Sequence, residues 1–233
     1  MKLEILSGGA AQGLVGALAA QFKAQTGRDI AGTFGAVGAM RDRLLAGAPA
    51  DLLILTRALI AELERSGHVA AGSAVDIGVV RTGVAVRAGD PVPALGDGPA
   101  LRAALLAADG IYFPDPKLAT AGIHFAKVLD TLGIAVEVAG RLRPFSNGAT
   151  AMRELAAARS PRPIGCTQVT EILATPGVML AGPLPKAFEL ATIYTAGVAT
   201  RAALPEEARR LAALLGGDGA RDLRRRIGFE AAG

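Results

Sequence analysis

Residues 29–56 read DIAGTFGAVGAMRDRLLAGAPADLLILT, and the alternation of apolar runs, glycine turns and helical spacing in this stretch sets the fold class. Asp29 to Phe34 predicts a strand. Gly35-Ala36-Val37-Gly38 is a small-residue turn that opens a helix through Leu44 and Leu45. Asp51-Leu52-Leu53-Ile54-Leu55 is an unbroken apolar run, as expected of a strand with helices on both sheet faces. Upstream, Leu3 to Leu6 is a strand that enters the turn Ser7-Gly8-Gly9-Ala10. A helix follows with Leu14, Leu18 and Phe22 on one face, closed by Gly27. Downstream, Thr56 caps a helix through Leu59 and Leu63 that ends at Gly67. The succession β-α-β-α-β-α predicts an α/β chain on a largely parallel sheet flanked by helices.

The middle of the chain repeats the theme in smaller units. Ile111-Tyr112-Phe113 predicts a strand, followed by the loop Pro114-Asp115-Pro116. Thr120-Ala121-Gly122 leads a helix through Phe125 and Leu129. Ser146-Asn147-Gly148 precedes a helix through Leu155, and Pro163 to Cys166 is a short strand with Thr167 placed to cap the next helix. Leu190 to Tyr194 predicts a strand, and two helices follow from about Pro205 and Asp218, the first announced by Pro205 with Glu206 and Glu207 behind it. Val79–Arg87 and Leu190–Val198 are the places where the chain can pass between two lobes.

Composition narrows the function classes. Of 233 residues, 51% are apolar and 20% charged, an ordinary globular balance. No run of about 18 uninterrupted apolar residues occurs, so no membrane insertion is expected. The net charge is +4, but the basic residues are dispersed and the densest group, Arg221 to Arg226, lies on a predicted terminal helix. Stacking aromatics and zinc-ligand clusters are both missing, so nucleic acid is not an expected partner. The single cysteine, Cys166, reads as a small buried filler. Met1 runs directly into the first strand, which predicts a cytoplasmic location if Met1 is the native start and a periplasmic one if a leader has been removed.

Ser7-Gly8-Gly9-Ala10, Gly35-Ala36-Val37-Gly38, Thr120-Ala121-Gly122 and Cys166-Thr167-Gln168 share one arrangement: a strand ends, small residues follow, and a helix begins. Ser146-Asn147-Gly148-Ala149 adds a fifth helix start. At the carboxyl edge of a parallel sheet such starts aim unpaired N–H groups at the crevice, so together they point to a site for a small anion. No G-x-G-x-x-G or G-K-[ST] spacing occurs at any of them, which argues against nucleotides; no cofactor and no metal are expected.

These segments also carry a resemblance. Phe34-Gly35-Ala36-Val37-Gly38-Ala39 followed by Gly47-Ala48-Pro49-Ala50-Asp51 resembles the F-G-A-S-G-A…G-A-P-A-D pattern of the molybdate-binding proteins of ABC importers. Ala121-Gly122-Ile123 and the closing Gly228-Phe229 are similar to further segments of that family. The resemblance implies a type II periplasmic-binding-protein fold of two lobes, 1–82 with 195–233 and 83–194, closing over a ligand in the cleft. It also implies an importer membrane component as partner if the chain is exported. Two serines grip the oxyanion in that family; here Ala10 and Val37 stand in their places, and a site tyrosine falls near Gln168. With the hydroxyls gone, the expected ligand shifts from molybdate to a di- or tricarboxylate. Ser7, Asn147, Thr167, Gln168 and Thr170 would then supply polar contacts, with Tyr194 on a cleft wall or hinge.

Gly165-Cys166-Thr167-Gln168-Val169-Thr170-Glu171-Ile172 is similar to a G-x-T-Q-x-T-E-I run of the aconitate isomerase branch of this fold. That resemblance implies, as an alternative to simple binding, allylic proton transfer between cis- and trans-aconitate, with His124 and Glu171 as acid/base candidates. Each has a plainer reading: a helix histidine bonded to a neighbour, and an acidic residue favoured by a helix N-terminus.

Overall fold

The computed structural model describes residues 1–231. The elements follow in the order β1 (Leu3–Gly8), α1 (Gln12–Thr26), β2 (Ile30–Gly35), α2 (Val37–Leu45), β3 (Leu52–Thr56), α3 (Arg57–Arg65) and β4 (Val75–Arg87). Next come α4 (Gly98–Ala107), β5 (Gly110–Pro114), α5 (Thr120–Thr131), α6 (Ala135–Val138), β6 (Leu142–Phe145), α7 (Gly148–Ala157), β7 (Pro163–Gln168), α8 (Val169–Leu173), β8 (Val178–Pro183), β9 (Ala191–Val198), α9 (Pro205–Gly216) and α10 (Arg221–Ile227). The chain divides into two compact units, one made of Met1–Val80 and the chain from Thr192 onward, the other of Arg81–Ala191.

In the first unit β1 pairs in parallel with β2 and with β3, and β9 returns antiparallel to β3. Leu52 to Leu55 of β3 are fully buried, as a strand covered on both faces requires. α1 buries Leu14, Val15, Leu18 and Phe22 and ends where Gly27 takes φ 69°, its N–H bonding the Lys23 carbonyl. That left-handed turn is strained for any residue with a Cβ. Asp51 ties the unit together: its carboxylate accepts the Glu4 N–H at 2.8 Å and the Leu204 N–H at 2.9 Å.

In the second unit β5 pairs in parallel with β6 and β7, while β4 runs antiparallel to β7 and β8. Its core gathers Val84, Leu101, Leu105, Ile111, Phe113, Phe125 and Leu129, with Met152, Leu155 and Ile172 in a second cluster. Among the described residues β6 pairs only with β5, so Pro144 sits in it without breaking a ladder on its other side. Each unit therefore carries a mixed sheet, because β4 and β9 enter against the parallel strands. The sequence reading left β6, β8, α4 and α6 unnamed. β6 is four residues long and β8 only half-buried, so neither shows a strong apolar run.

Candidate functional site

In the first unit β1 and β2 end side by side, Gly8 opposite Gly35. Neither α1, nor the short 3-10 turn at Gly9–Ala11 before it, nor α2 has a side-chain cap, so no capping side chain takes up the N–H donors of these starts. A Cβ on Gly8 would lie 2.8 Å from Val37 Cγ1 and 2.9 Å from Tyr194 Cε1. Gly8, Val37 and Tyr194 therefore form one packed cluster, and the Tyr194 ring meets Phe229 edge-on. Ser7 is buried and its hydroxyl donates to the Gly8 carbonyl at 2.9 Å. Ala10 and Val37 are buried apolar side chains, so neither position offers a hydroxyl donor.

In the second unit the N–H groups of Lys117 and Leu118 bond Asp115 Oδ1, and α5 begins hard against the end of β5. A Cβ on Gly122 would lie 2.2 Å from the Asp115 carbonyl oxygen and 2.3 Å from that of Pro114, so only glycine fits. The cap residue of α5 is Ala119, which leaves the N–H groups at Thr120, Ala121 and Gly122 without a side-chain acceptor.

The start of α7 is different. Asn147 Oδ1 accepts the Thr150 N–H at 2.8 Å, and the Glu171 carboxylate accepts the N–H groups of Ala149 and Gln168 and the Thr167 hydroxyl at 2.6 Å. A Cβ on Gly148 would fall 1.9 Å from Glu171 Oε2. Gly148, Ala149, Thr167 and the Gln168 N–H thus enclose a carboxylate of the protein itself. Burial pushes the Glu171 pKa up; the hydrogen bonds oppose this, and burial prevails.

His124 is held elsewhere, its Nε2 2.7 Å from the Phe188 carbonyl oxygen. A carbonyl only accepts, so Nε2 carries the proton and Nδ1 is the basic nitrogen. Cys166 is fully buried and its thiol pKa is pushed up by desolvation, which removes it as a thiolate. Of the basic residues placed near the predicted turns, Arg41 bonds Asp42, Arg143 bonds the carbonyls of Gly140 and Leu142, Arg81 pairs with Glu189, and Lys117 is exposed.

Among the described residues, the buried side chains without a hydrogen-bond partner on their polar atoms are Thr82, Gln168, Thr170 and Thr192, and the first three lie in or beside the β4–β7 pair. Gln168 is 3% exposed with both amide atoms unpartnered; the hydroxyls of Thr170 and Thr82 are likewise unpartnered, at 2% and 1% exposure. Thr82 and Gln168 are Cα partners across the antiparallel β4–β7 pair, so their side chains share a sheet face. Buried polar atoms of this kind call for a partner from outside the chain. Sequence reasoning missed Thr82, although a lone hydroxyl inside the run Val79 to Val86 was a usable signal. Among the described residues no Lys or Arg is buried, and no group of His, Cys, Asp and Glu is arranged to hold a metal ion. No helix among them is long and apolar enough to cross a membrane.

The family model for bacterial extracellular solute-binding proteins matches residues 3–230. The chain belongs to this family. This solute-binding protein is 27% identical over 218 residues to an aconitate isomerase from a Pseudomonas species, covering 90% of this chain and 80% of the relative. Among solved structures it is similar to the periplasmic molybdate-binding protein of Azotobacter vinelandii, with a TM-score of 0.82 at 19% identity over the whole of both chains. It is also similar to a sulfate-binding protein of Mycobacterium tuberculosis, with a TM-score of 0.76 at 18% identity over all of this chain and 87% of the other. The solute-binding protein thus has the α/β fold of the periplasmic binding proteins. Identities this low carry the fold and not the ligand.

Proposed function

We propose that this solute-binding protein takes a small di- or tricarboxylate rather than molybdate. The observation that carries the reading is the buried, unpartnered set of neutral polar groups at Gln168 and Thr170, beside the end of β7 and without a buried cation. Neutral donors and helix N–H groups suit a delocalised carboxylate. Ala10 and Val37 support the same reading from the first unit, because an oxyanion oxygen facing them gains no hydroxyl donor there. Should the chain be exported, an importer membrane component is the proposed recipient of the ligand.

A thermal-shift panel of molybdate, tungstate, sulfate and phosphate against citrate, cis-aconitate, trans-aconitate and smaller diacids tests this. A ligand at about 100 times its Kd adds roughly 2.7 kcal/mol of stability. Stabilisation by the carboxylates is expected; stabilisation by molybdate or tungstate alone would overturn the reading.

The relative at 27% identity supports a second reading, interconversion of cis- and trans-aconitate. In that reading His124, through Nδ1, and Glu171 would move the allylic proton, and Glu171 would first have to release part of its enclosing hydrogen bonds. Turnover that persists in both His124→Ala and Glu171→Ala would remove that mechanism.

A further inference from the structure

The carboxylate reading leaves one feature of the second unit unexplained. A carboxylate is acceptor-only, so it can satisfy the Gln168 amide N–H₂ and the Thr hydroxyl protons but not the Gln168 carbonyl oxygen. Both ends of that amide are unpartnered in a nearly dry position, so exchanging the assignment of O and N changes nothing. The neighbouring Thr82 and Thr170 hydroxyls stand without partners as well and do not reach it. We propose that the ligand of this site carries an alcohol next to its carboxylate, that is, a hydroxy di- or tricarboxylate. The ligand's O–H donates to the Gln168 carbonyl oxygen while its carboxylate accepts from the amide N–H₂ and from Thr82 or Thr170.

The selectivity follows from what each ligand leaves unpaired. A deoxy analogue of the same charge and chain length satisfies the donors and strands the buried acceptor. A site that hydrogen-bonds a substrate hydroxyl rejects the analogue lacking it far better than an apolar pocket tells one methylene from none. An inorganic oxyanion without a proton has the same shortfall as the deoxy acid. Thr82 is then a ligand contact, although it lies in a strand and in none of the helix-start turns.

The inference rests on the carboxylate reading, and matched ligand pairs keep the two failures apart. Calorimetric titration of the full chain would compare malate with succinate, and citrate with tricarballylate, each pair differing by one hydroxyl. The hydroxylated member is expected to bind at least roughly tenfold more tightly. In Gln168→Met that preference should collapse toward unity, chiefly by loss of affinity for the hydroxylated member; Thr82→Val should weaken both members of a pair. Among the described residues no protein group bonds either side-chain terminus, so neither variant should lose Tm without ligand, and each should gain some because an unsatisfied buried polar group is removed. Equal binding within the wild-type pairs, a preference that survives Gln168→Met, or aconitates bound more tightly than citrate would each overturn the hydroxyl assignment while leaving the carboxylate reading in place. Binding of no carboxylate would end both.

Discussion

Glu171 is a carboxyl group pulled two ways, by burial that favours its protonated form and by three hydrogen bonds that favour its charge, with burial ahead. A raised pKa in the folded state means that the folded chain holds the proton more tightly than the unfolded one. The contribution of this group to stability is therefore greatest below the ordinary glutamate range and falls as pH rises through the folded-state value. Glu171→Gln fixes a neutral side chain, so the Tm gap between wild type and variant should change with pH upward from the ordinary glutamate range. A constant gap would mean that Glu171 does not titrate differently on folding. Asp51 makes a contrasting case at the same scale, since its two oxygens each hold one backbone N–H, of Glu4 and Leu204. Asp51→Ala leaves both donors unmet, the buried Leu204 N–H at about 1–3 kcal/mol and the part-buried Glu4 N–H at less. The urea midpoint should fall accordingly, with Asp51→Asn losing less; an unchanged midpoint would remove this anchoring role.

At the scale of elements, helix starts decide what the protein can hold. Thr56 and Asp97 cap α3 and α4 with their own side chains, whereas α1, α2 and α5 have none. Introducing Ala10→Ser with Val37→Ser puts a hydroxyl at two of those starts. The double variant should gain thermal stabilisation from molybdate and lose part of that from carboxylates, after a basal cost of about 1–3 kcal/mol for the missing valine methyls. A double variant that stays indifferent to molybdate would show that the missing hydroxyls are not what sets ligand choice. Much of this level was legible in the sequence. The run at Leu52 to Leu55, the spacing of Leu14, Leu18 and Phe22, and the glycine at 27 each impose their element locally. The role of Glu171 was not legible, because Ala149 reaches it only when α7 packs on α8, and its local bond to Thr167 looks like ordinary helix-start chemistry until that packing buries it. Thr82 was hidden for a related reason. Its meaning depends on β4 lying antiparallel to β7, a pairing that no local pattern announces.

At the scale of the whole chain, the two units differ in how they depend on connectivity. The first needs both ends of the sequence: β3 pairs with β9, Val79 bridges to Glu230, and Tyr194 packs on Gly8 and Phe229. The second is continuous from Arg81 to Ala191 and owns its core, from Val84 and Leu101 through Phe125 to Ile164. A fragment of that size with a closed apolar core lies within the range that folds alone. Residues 81–191 expressed by themselves should therefore give a cooperative urea transition, while residues 1–80 alone should not, because β3 then exposes an unpaired edge and the α1 face loses α9. Adding residues 192–231 to 1–80 through a short linker should restore cooperativity. A non-cooperative 81–191 fragment would place part of its stability in the first unit and contradict the independence that its core implies.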